Sequence, residues 1–267
     1  MPFWKDKIVV ITGGSAGLGL SIAQEFGRHG AKLVIISRSR ANLETAVAAL
    51  KQEQIDAHPI VADVLQIEQI SQAVHEIASS FGQIDVWVNN VGRSVRIDLS
   101  QATAEHYREL MEVNFISAVN CTLAVLPHLE RSSGHLVNIG SLSSKTAWPF
   151  LAPYTTSKFA LAGYTQQLRI EGPANVHYLL ACPGPIQRDD SGLRYQGATE
   201  QLPGHALQPG AGARIEGLSA ARVAQGIVRA CQHRRAELVM PLRVRLLFVI
   251  AAFSPRLADW VLRRVMH

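Results

Sequence analysis

Short runs of apolar residues alternate along the chain with longer stretches in which apolar residues recur every three or four positions. The short runs are nearly continuous in Val, Ile and Leu, which is typical of parallel strands that are covered on both faces. The longer stretches, such as LGLSIAQEFGRHG and IEQISQAVHEIASSFG, are typical of amphipathic helices. Strands are predicted at 7–13, 31–37, 57–63, 84–90, 134–140, 176–182 and, more weakly, 236–241. This order predicts an α/β protein with a doubly wound, Rossmann-type fold and a central parallel sheet of about seven strands.

One segment interrupts the alternation of predicted strands and helices. Residues 187–218 are rich in Gly, Pro and polar residues and show little periodicity, which is typical of a functional loop. The segment follows the end of a strand, where ligands bind in open α/β sheets. We therefore predict a single catalytic domain over residues 1–242, with a substrate loop at about 187–218, and a C-terminal extension over 243–267.

Cysteine and histidine usage argues against disulfides and metals. The three cysteines, Cys121, Cys182 and Cys231, are widely spaced and odd in number, so we expect reduced thiols. The ten histidines show no metal-ligand spacing, and we predict no metal site. The N-terminal segment lacks the apolar core of a signal peptide, and the longest apolar run, 246–253, is too short to span a bilayer. These features predict a cytoplasmic protein.

The net charge of +5 is concentrated near the C-terminus. Residues 234–267 contain seven arginines, no lysine and two acidic residues, so this segment alone carries the net charge. A protein that binds nucleic acid through a basic body would carry its charge throughout that body. We therefore predict no nucleic-acid partner.

The C-terminal extension is predicted to contain a basic amphipathic helix. Ser254 and Pro255 have the pattern of an N-cap followed by proline at the first helical position. In the helix that follows, one face carries Leu257, Trp260, Val261 and Val265, and another carries Arg256, Asp259 and Arg263. This pattern suits peripheral contact with a membrane. The alternative is that the helix packs on the enzyme itself or on a second subunit.

The first predicted strand ends in TGGSAGLG, residues 12–19. Gly13, Gly17 and Gly19 permit a tight turn, and the helix that follows presents unpaired N–H groups to an anion. A glycine-rich turn alone is weak evidence, but this one lies between the first strand and a helix, as in dinucleotide-binding sites. We therefore predict that this loop binds the phosphates of a nucleotide.

The end of the second predicted strand bears on the choice between NADP(H) and NAD(H). NAD-preferring sites place an acidic residue there to bind the ribose 2′-hydroxyl, whereas this sequence has SRSR. Arg38, helped by its neighbours, can hold a 2′-phosphate through charge-assisted hydrogen bonds; alternatively, these are ordinary surface arginines. We predict a preference for NADP(H), with NAD(H) as the alternative. The candidate residues around the ribose and, after the third strand, the adenine are Ser37, Arg38, Ser39, Arg40, Asp63 and Val64.

A tyrosine and a lysine lie one helical turn apart in YTTSK, residues 154–158, at the start of a predicted helix. Positions i and i+4 share a helix face, so Tyr154 and Lys158 can point at the same place. A nearby cation lowers the pKa of a phenol, which is about 10 when unperturbed, and the pair can then act as a general acid and base. Taken alone, the spacing more often belongs to two surface side chains.

Six ordered motifs change that interpretation. They are TGGSAGLG at 12–19, NNVG at 89–92, Asn114 in MEVNFIS, Ser141 in VNIGSLSS, YTTSK at 154–158 and PGPI at 183–186. In order and spacing they resemble the short-chain dehydrogenase/reductase family over nearly all of residues 5–241. The resemblance implies an oxidoreductase that interconverts a ketone or aldehyde and an alcohol by hydride transfer with NADP(H) or NAD(H).

The resemblance also implies roles for four catalytic residues. Tyr154 would exchange a proton with the substrate oxygen as hydride is transferred. Lys158 would lower the pKa of Tyr154 and bind the nicotinamide ribose. Ser141 would hold the substrate oxygen, and Asn114 would hold a water that connects Lys158 to solvent.

By the same resemblance, three segments would line the cofactor. They are Gly13, Ser15, Gly17, Leu18 and Gly19 in the glycine loop, Asn89, Asn90 and Gly92 after the fourth strand, and Pro183, Gly184 and Ile186 at the nicotinamide. The sequence departs from the family pattern at Val91, where alanine is usual, and at Arg188, where many relatives have threonine. Arg188 either reaches the cofactor diphosphate or points to solvent. Ser143, Trp148 and Phe150 either line the substrate site or pack within a loop.

Two other functions are weighed against this one. A catalytically silent nucleotide-binding regulator usually lacks the tyrosine or the lysine, and both are present here. A dehydratase or epimerase of the same fold tends to have an added C-terminal substrate domain, for which this chain is short. The resemblance favours an apolar substrate, such as a lipid-, steroid- or 3-ketosphinganine-like ketone, and a homodimer or homotetramer.

Overall fold

The computed structural model describes residues 3–187, 202, 206 and 217–266. Its centre is a seven-stranded parallel sheet with the strand order β3-β2-β1-β4-β5-β6-β7. The strands are β1 (Ile8–Thr12), β2 (Lys32–Ser37), β3 (Ala57–Val61), β4 (Val86–Asn89), β5 (His135–Ile139), β6 (His177–Pro183) and β7 (Glu237–Met240). The predicted doubly wound fold with a parallel sheet of about seven strands is confirmed.

Helices cover both faces of this sheet. They are α1 (Gly17–Arg28), α2 (Arg40–Gln52), α3 (Ile67–Phe81), α4 (Ala104–Met111), α5 (Ser117–Ser132), α6 (Ala152–Glu171), α7 (Ala220–Gln232), α8 (Arg245–Phe253) and α9 (Pro255–Met266). Helices α1, α2 and α7 share one hydrophobic core with the sheet, and α3 and α5 share the other.

Strand β1 shows why the apolar runs are continuous. All five of its residues are buried. Val9 and Ile11 belong to the core that contains α1 and α7, whereas Ile8 and Val10 belong to the core on the other face. Because successive side chains of a strand point to opposite faces, a strand covered on both sides needs an apolar residue at every position.

The strand order reverses around β1, which pairs with β2 on one side and with β4 on the other. The register of β1 and β4 places Ile11 opposite Val88, so the carboxyl ends of the two strands lie side by side. Ligands of open α/β sheets bind at such a reversal point. The fold therefore brings the glycine loop after β1 next to the segment that follows β4.

The predicted substrate loop, 187–218, lies outside the described residues except at 187, 202, 206, 217 and 218, and Arg188 is also outside them. The two ends of the loop are joined to each other. The Leu218 N–H donates to the Pro185 carbonyl over 2.7 Å, and the Gln187 N–H donates to the Leu218 carbonyl over 2.9 Å. The segment therefore leaves and re-enters the fold at one place, beyond the carboxyl end of β6.

The C-terminal extension forms α8 and α9, which contact each other. Ser254 lies between them, and its Oγ accepts the Leu257 N–H over 3.4 Å, which is the geometry of an N-cap. The described part of the predicted apolar face, Leu257 and Trp260, is exposed, whereas Ala258 and Leu262 are buried. Leu262 is buried because it packs into a hydrophobic cluster beside α6.

One helical stretch of the described residues, Ala104–Ser132, is long and apolar enough to cross a membrane by length and composition. No contiguous apolar run marks this stretch in the sequence, because polar residues such as Asn114 and Thr122 interrupt it. Both of these residues are buried, and Val125 and Leu129 pack into one of the two sheet cores. The stretch is therefore weak evidence for a membrane span, since the core helix of a folded domain meets the same criterion.

A buried histidine pair lies at the amino end of the sheet, where His135 begins β5 and His177 begins β6. Their Nδ1 atoms are 2.8 Å apart, and His177 Nε2 is 2.8 Å from the Arg235 carbonyl oxygen. Because a carbonyl only accepts, His177 carries its hydrogen on Nε2, and His135 donates from Nδ1 to the free Nδ1 of His177. This assignment leaves both rings neutral.

The Cys231 thiol completes a group of three buried side chains whose potential ligand atoms lie within 4.8 Å of one another. Sequence spacing could not reveal this group, because its members come from β5, β6 and α7. The 2.8 Å separation of the two rings is that of a hydrogen bond, and the positive charges of Lys7 and Arg234 disfavour a cation there. A neutral hydrogen-bonded pair accounts for the arrangement.

We expect this pair to make the protein less stable in acid. Burial, followed by repulsion from a protonated His177 and by the charges of Arg234 and Lys7, lowers the pKa of His135 from 6.5 to about 3. Between these values the unfolded chain binds the proton and the folded protein does not, so stability falls as the pH drops below about 6.5. By pH 4 the loss should be about 1–3 kcal/mol in the free energy of unfolding, measured by urea denaturation.

The matched variant is His135→Asn, because its amide nitrogen can still donate to His177 but does not titrate. Its free energy of unfolding should change less between pH 7 and pH 4 than that of the wild type. The substitution His58→Asn removes an exposed histidine and should keep the wild-type slope. Parallel curves for the wild type and His135→Asn would contradict the prediction.

Candidate active site

The glycine loop after β1 is built to receive an anion. Gly13 and Gly17 have φ values of +64° and +53°, which lie in the left-handed region that glycine adopts readily. Helix α1 begins at Gly17, and its N-cap residue, Ala16, provides no side-chain hydrogen bond. The first N–H groups of α1 are therefore left to a ligand, and the positive end of the helix dipole points toward it.

Close packing leaves no room for a side chain at Gly19. A Cβ atom there would lie 2.2 Å from the Gly13 carbonyl oxygen and 2.6 Å from Asn90 Nδ2. Asn90 in turn donates from Nδ2 to the carbonyls of Thr12 and Gly13, over 3.0 and 3.3 Å. Asn90, in the loop after β4, thus holds the backbone of the glycine loop in place. Two of the predicted cofactor segments meet here.

The residues predicted to surround the ribose and adenine lie together at the ends of β2 and β3. Arg38 is exposed, and its Nη1 is 3.8 Å from Asp63 Oδ2. Ser39 caps α2 by accepting the Asn42 N–H, and its own N–H donates to Ser37 Oγ over 3.5 Å. Arg38 therefore presents an exposed positive charge in this group, whereas the Ser39 hydroxyl caps α2.

Two further members of this group differ in exposure. Asp63 Oδ1 accepts the Leu65 N–H over 3.0 Å, which holds the carboxylate at the turn after β3. Val64 is buried and packs into the core that contains α3. Because Val64 is buried, it could contact an adenine only as part of the packed surface that lines the site.

Asn89 lies in a buried polar network rather than on an open surface. Its Nδ2 donates to Asn138 Oδ1 over 2.8 Å and contacts Thr122 Oγ1 at 3.2 Å, and its Oδ1 accepts from Trp87 Nε1 over 2.8 Å. Asn138 continues the network to Thr165 on α6. The sequence analysis grouped Asn89 with the cofactor-lining residues, but its side chain is fully used in tying β4 and β5 to the helices.

Asn114 lies in a single π-helical turn, Glu112–Ile116, between α4 and α5. Its Oδ1 accepts the Arg93 N–H over 2.8 Å, and its Nδ2 donates to the Arg93 carbonyl over 2.9 Å and to Ser157 Oγ over 2.9 Å. Such turns insert one extra residue into a helix and often mark functional sites. Here the turn presents Asn114 to the loop after β4 and to α6 together.

Gly92 allows two of the predicted catalytic side chains, Asn114 and Lys158, to approach one another. A Cβ atom at this position would lie 3.0 Å from Asn114 Oδ1 and 3.3 Å from Lys158 Nζ. Any larger residue would push one of these polar atoms away. The glycine of NNVG therefore suits the narrow space between Asn114 and Lys158.

Lys158 is buried on the inner side of α6. Its Nζ donates to the Ile139 carbonyl over 2.8 Å, at the end of β5. Burial lowers the pKa of Lys158 from 10.5 to about 8, so the side chain still carries its proton at neutral pH. The ammonium is 5.8 Å from the centre of the Tyr154 ring, as expected for residues one turn apart on one helix face.

Ser141 follows the end of β5 and begins the short helical turn Leu142–Ser144. Its Oγ accepts the Ser143 N–H over 3.1 Å, and its own N–H donates to Ser144 Oγ over 3.1 Å. These bonds fix the position of the hydroxyl, and its hydrogen can still be donated to a substrate oxygen. Ser143 is buried, which favours loop packing over substrate contact for that residue.

The segment after β6 brings three predicted cofactor residues to the same edge. Pro183 ends β6, and the Gly184 N–H donates to the Met240 carbonyl over 2.7 Å. Ile186 is paired with Leu218 in a parallel bridge whose hydrogen bonds are made by the residues on either side of Ile186. The backbone N–H of Ile186 is not used in that bridge, which suits the predicted contact with a carboxamide.

Sequence reasoning missed Ser157, which links two of the predicted catalytic residues. Its Oγ donates to the Tyr154 carbonyl over 2.7 Å and accepts from Asn114 Nδ2. Its place inside YTTSK was the available signal, because a serine three residues after Tyr154 can bond back to that turn of the helix.

The sequence analysis also gave no sign of the contacts made by Arg96 and by the backbone of Phe150. Arg96 is buried in the loop after β4, and its Nε donates to the Ala206 carbonyl over 3.1 Å. Phe150 has a φ of +59°, a strained value for a bulky residue, and its carbonyl accepts the Ile97 N–H over 3.0 Å. The loops before α4 and before α6 are thereby fastened together, which no sequence pattern indicated.

With this geometry in hand, comparison with known proteins decides the family. The family model described as short chain dehydrogenase matches residues 7–193. The chain belongs to this family. It is an NAD(P)-dependent oxidoreductase that acts on CH–OH groups.

Individual relatives agree with this assignment. Uncharacterized oxidoreductase YxnA of Bacillus subtilis (strain 168) is 29% identical over 268 residues, which cover 98% of this chain and 73% of that protein. 11-beta-hydroxysteroid dehydrogenase A of Sesamum indicum is 30% identical over 259 residues, which cover 96% of this chain and 74% of that protein.

A solved structure agrees as well. Alcohol dehydrogenase from the archaeon Thermococcus sibiricus, complexed with 5-hydroxy-NADP, superimposes with a TM-score of 0.74 at 25% sequence identity, over 88% of this chain and 96% of that chain. The family and the fold predicted from the six motifs are thereby confirmed.

The packing at Gly19 predicts a specific sensitivity in the nucleotide half of the site. In Gly19→Ala the new methyl group would meet backbone 2.2 Å away, so α1 or the loop must shift. We expect the Kd for NADPH, measured by fluorescence titration, to rise by about tenfold or more as the loop loses its shape.

Gly163→Ala is the matched control, since Gly163 also lies in a helix and a Cβ there would meet nothing within 4 Å. This variant should bind NADPH as the wild type does and be stabilised by about 0.4–1 kcal/mol, measured by thermal denaturation. Normal NADPH binding by Gly19→Ala would show that the close approach is not needed.

Proposed function

We propose that this protein is an NADP(H)-dependent oxidoreductase that interconverts an apolar ketone or aldehyde and the corresponding alcohol. The observation that carries the proposal is the buried Lys158 ammonium beside Tyr154, on a helix that faces the glycine loop across Gly92. We assign the chemistry to one catalytic domain, residues 1–242, with Asn114, Ser141, Tyr154 and Lys158 as its catalytic residues.

The residues of the glycine loop fit a dinucleotide. The uncapped start of α1 can bind a diphosphate, and the Ile186 N–H is placed for a carboxamide. We propose that the holding residues are those of the glycine loop (Gly13, Ser15, Gly17, Leu18, Gly19), the ribose group (Ser37, Arg38, Ser39, Asp63, Val64) and the nicotinamide end (Asn90, Gly92, Pro183, Gly184, Ile186). When bound, the nicotinamide supplies or accepts the hydride.

The protein residues then manage the proton. In the reductive direction Tyr154 donates its phenolic proton to the carbonyl oxygen as the carbonyl carbon receives the hydride, and the product is the neutral alcohol. Lys158 is protonated at neutral pH and stabilises the phenolate that remains. The hydroxyl of Ser141 donates a hydrogen bond to the same substrate oxygen and so fixes its distance from Tyr154.

Asn114 has a supporting part in this scheme. Its side chain bonds to Arg93 and Ser157, and Ser157 bonds to the Tyr154 carbonyl. These contacts hold α6 against the loop after β4 and keep the tyrosine and lysine in register. We propose that the return of a proton from solvent to Tyr154 passes through Lys158 at this place.

Arg38 supports the choice of NADP(H) over NAD(H). The ribose end of the proposed site offers an exposed guanidinium, and the only carboxylate near it among the described residues is that of Asp63, 3.8 Å away. A 2′-phosphate would give Arg38 a second and more highly charged acceptor. An NAD-linked alcohol dehydrogenase of the same fold is the second candidate, because Asp63 could also accept a ribose hydroxyl.

An apolar substrate is supported by the surroundings of Tyr154. Tyr154 packs against a hydrophobic cluster whose members are Leu142, Trp148, Leu151, Leu180, Cys182, Val239 and Leu262. We propose a lipid-, steroid- or 3-ketosphinganine-like ketone as the substrate class, since such molecules lose little by leaving water for this wall.

We further propose a cytoplasmic homodimer or homotetramer that touches a membrane peripherally through residues 243–267. Assembly is supported by the exposed apolar side chains of Leu123 on α5 and Phe159 on α6, which a second subunit could bury. The membrane contact is supported by the exposed apolar residues of α8 and α9.

The cofactor preference is tested at Arg38. We expect Arg38→Ala to raise the Kd for NADPH by about tenfold and to leave the Kd for NADH unchanged, because only NADPH carries the 2′-phosphate. Fluorescence titration of both cofactors measures the two constants. Arg108→Ala, on α4, removes a comparably exposed arginine and should change neither. Equal binding of NADH and NADPH by the wild type would refute the preference.

The catalytic assignment is tested at Tyr154. We expect Tyr154→Phe to lower kcat by about 10²–10⁴ with unchanged NADPH binding, since only the exchangeable proton is lost. The assay follows NADPH oxidation with a panel of long-chain, cyclic and steroidal ketones. Tyr164→Phe, on the same helix, should retain activity. If Tyr154→Phe remained fully active on a ketone that the wild type reduces, the proton donor would be another group.

A further inference from the structure

The two C-terminal helices expose an apolar surface to solvent. We define the outer face as Leu242, Leu246, Val249, Phe253, Leu257 and Trp260. These are six of the thirteen exposed large hydrophobic side chains among the described residues, although the segment that carries them is short. Phe253 is 87% exposed and Leu246 is 68% exposed. Scattered exposed apolar residues are normal, but a cluster of this kind marks an interaction surface.

The spacing of these residues places them on one side of each helix. On α8, Leu246, Val249 and Phe253 recur at intervals of three and four residues. On α9, Leu257 and Trp260 are three residues apart. Because α8 and α9 contact each other and are separated by Ser254 alone, the two rows belong to a single structural unit.

The opposite sides of the same helices pack against the domain. Val244, Phe248 and Leu262 pack on the hydrophobic cluster that also contacts Tyr154. The helix pair is therefore held on the domain by its inner face. The described residues leave the outer face uncovered, so it can be buried only by something outside them.

Positive charge is concentrated in the segment that carries the outer face. Arg243, Arg245, Arg256 and Arg264 are exposed, and the salt bridges among the described residues include none of them. Residues 243–267 contain five arginines, no lysine and one acidic residue, Asp259. The Arg264 guanidinium lies 4.2 Å from the centre of the Trp260 ring, so one arginine is stacked directly on the apolar surface.

This charge distribution decides between two possible occupants. In a two-fold symmetric contact a patch meets its own copy, so the arginines of one subunit would face those of the other with one aspartate each to offset them. An anionic lipid surface offers the opposite charge at the level of the arginines and hydrocarbon below it. Tryptophan and arginine at the margin of an apolar helix face suit that boundary.

We propose that the outer face docks on the surface of an anionic lipid bilayer. Phe253, Leu246 and the apolar side of Trp260 enter the interfacial layer, and the arginines bind lipid phosphates. The inner face then holds the catalytic helix α6 close to the lipid surface. This placement of α6 matters for catalysis only under the proposed function. An apolar ketone could then pass from the bilayer to the hydrophobic cluster beside Tyr154.

The test compares two double variants of the full chain. Leu246→Gln with Phe253→Gln changes the outer face, and Leu99→Gln with Ile170→Gln changes two residues that are each 69% exposed elsewhere. Sedimentation with phosphatidylcholine vesicles containing phosphatidylglycerol gives the partition coefficient. We expect at least about a tenfold fall for the first pair and no change for the second, because each removed side chain loses its transfer from water.

Binding should also depend on charge. It should weaken when phosphatidylglycerol is omitted and when the salt is raised from about 0.1 M to about 1 M, since screening then shortens the reach of the arginines from about 10 Å to about 3 Å. All substituted residues are exposed, so the Tm of each variant should match that of the wild type.

Equal vesicle binding by the two double variants would overturn the proposal. A lower molecular mass of the outer-face variant in light scattering without lipid would also overturn it, because that result assigns the face to a second copy of the chain. None of these measurements uses catalysis. Failure of the bilayer contact and failure of the proposed oxidoreductase function are therefore separately visible.

Discussion

The buried ammonium of Lys158 is the constraint around which the catalytic half of the molecule is arranged. A charged amine loses its hydration on burial, and this loss is severe unless hydrogen bonds replace it. The Ile139 carbonyl at the end of β5 provides one such bond over 2.8 Å. Because this bond replaces only part of the lost hydration, the pKa of Lys158 is lowered to about 8. With this pKa, Lys158 can release a proton and take it up again near neutral pH.

The position of that amine depends on elements far apart in sequence. The end of β5 must lie beside α6, and Gly92 must leave room between Lys158 and Asn114. A buried chain of hydrogen bonds secures these relations, passing from Asn89 on β4 to Asn138 on β5 and on to Thr165 on α6. A hydrophobic core alone allows helices to slide, whereas each of these bonds has one partner and one geometry.

The nucleotide half is organised by a different principle. Its accuracy comes from backbone atoms brought too close for any side chain, with Gly19 against Gly13, and from a helix start that is left uncapped. Such features require glycine at fixed positions, and a sequence shows them directly. For this reason TGGSAGLG and the apolar strands were sufficient to predict the doubly wound fold with its parallel sheet of about seven strands.

What the sequence could not show depends on contacts between distant elements. Asn89 belongs to a motif that suggested a cofactor contact, and only the positions of Trp87, Asn138 and Thr122 reveal that its side chain is used internally. The π-helical turn around Asn114 lies within a continuous helical pattern, because one inserted residue hardly alters an apolar periodicity. The His135–His177 bond joins the starts of two strands that no local spacing relates.

The orientation of the C-terminal helices also could not be predicted from the sequence, and it affects how the proposed function can be tested. Helical periodicity grouped Leu257 with Trp260, but it could not say whether that row or the one with Ala258 and Leu262 would face the domain. Leu262 packs in the same cluster as Trp148, Leu151 and Tyr154, so removing the extension would uncover the proposed substrate wall as well as remove the exposed surface. Loss of activity after truncation would therefore not distinguish a lost membrane contact from a damaged site. Substitutions confined to the exposed row separate the two, because they leave the wall beside Tyr154 intact.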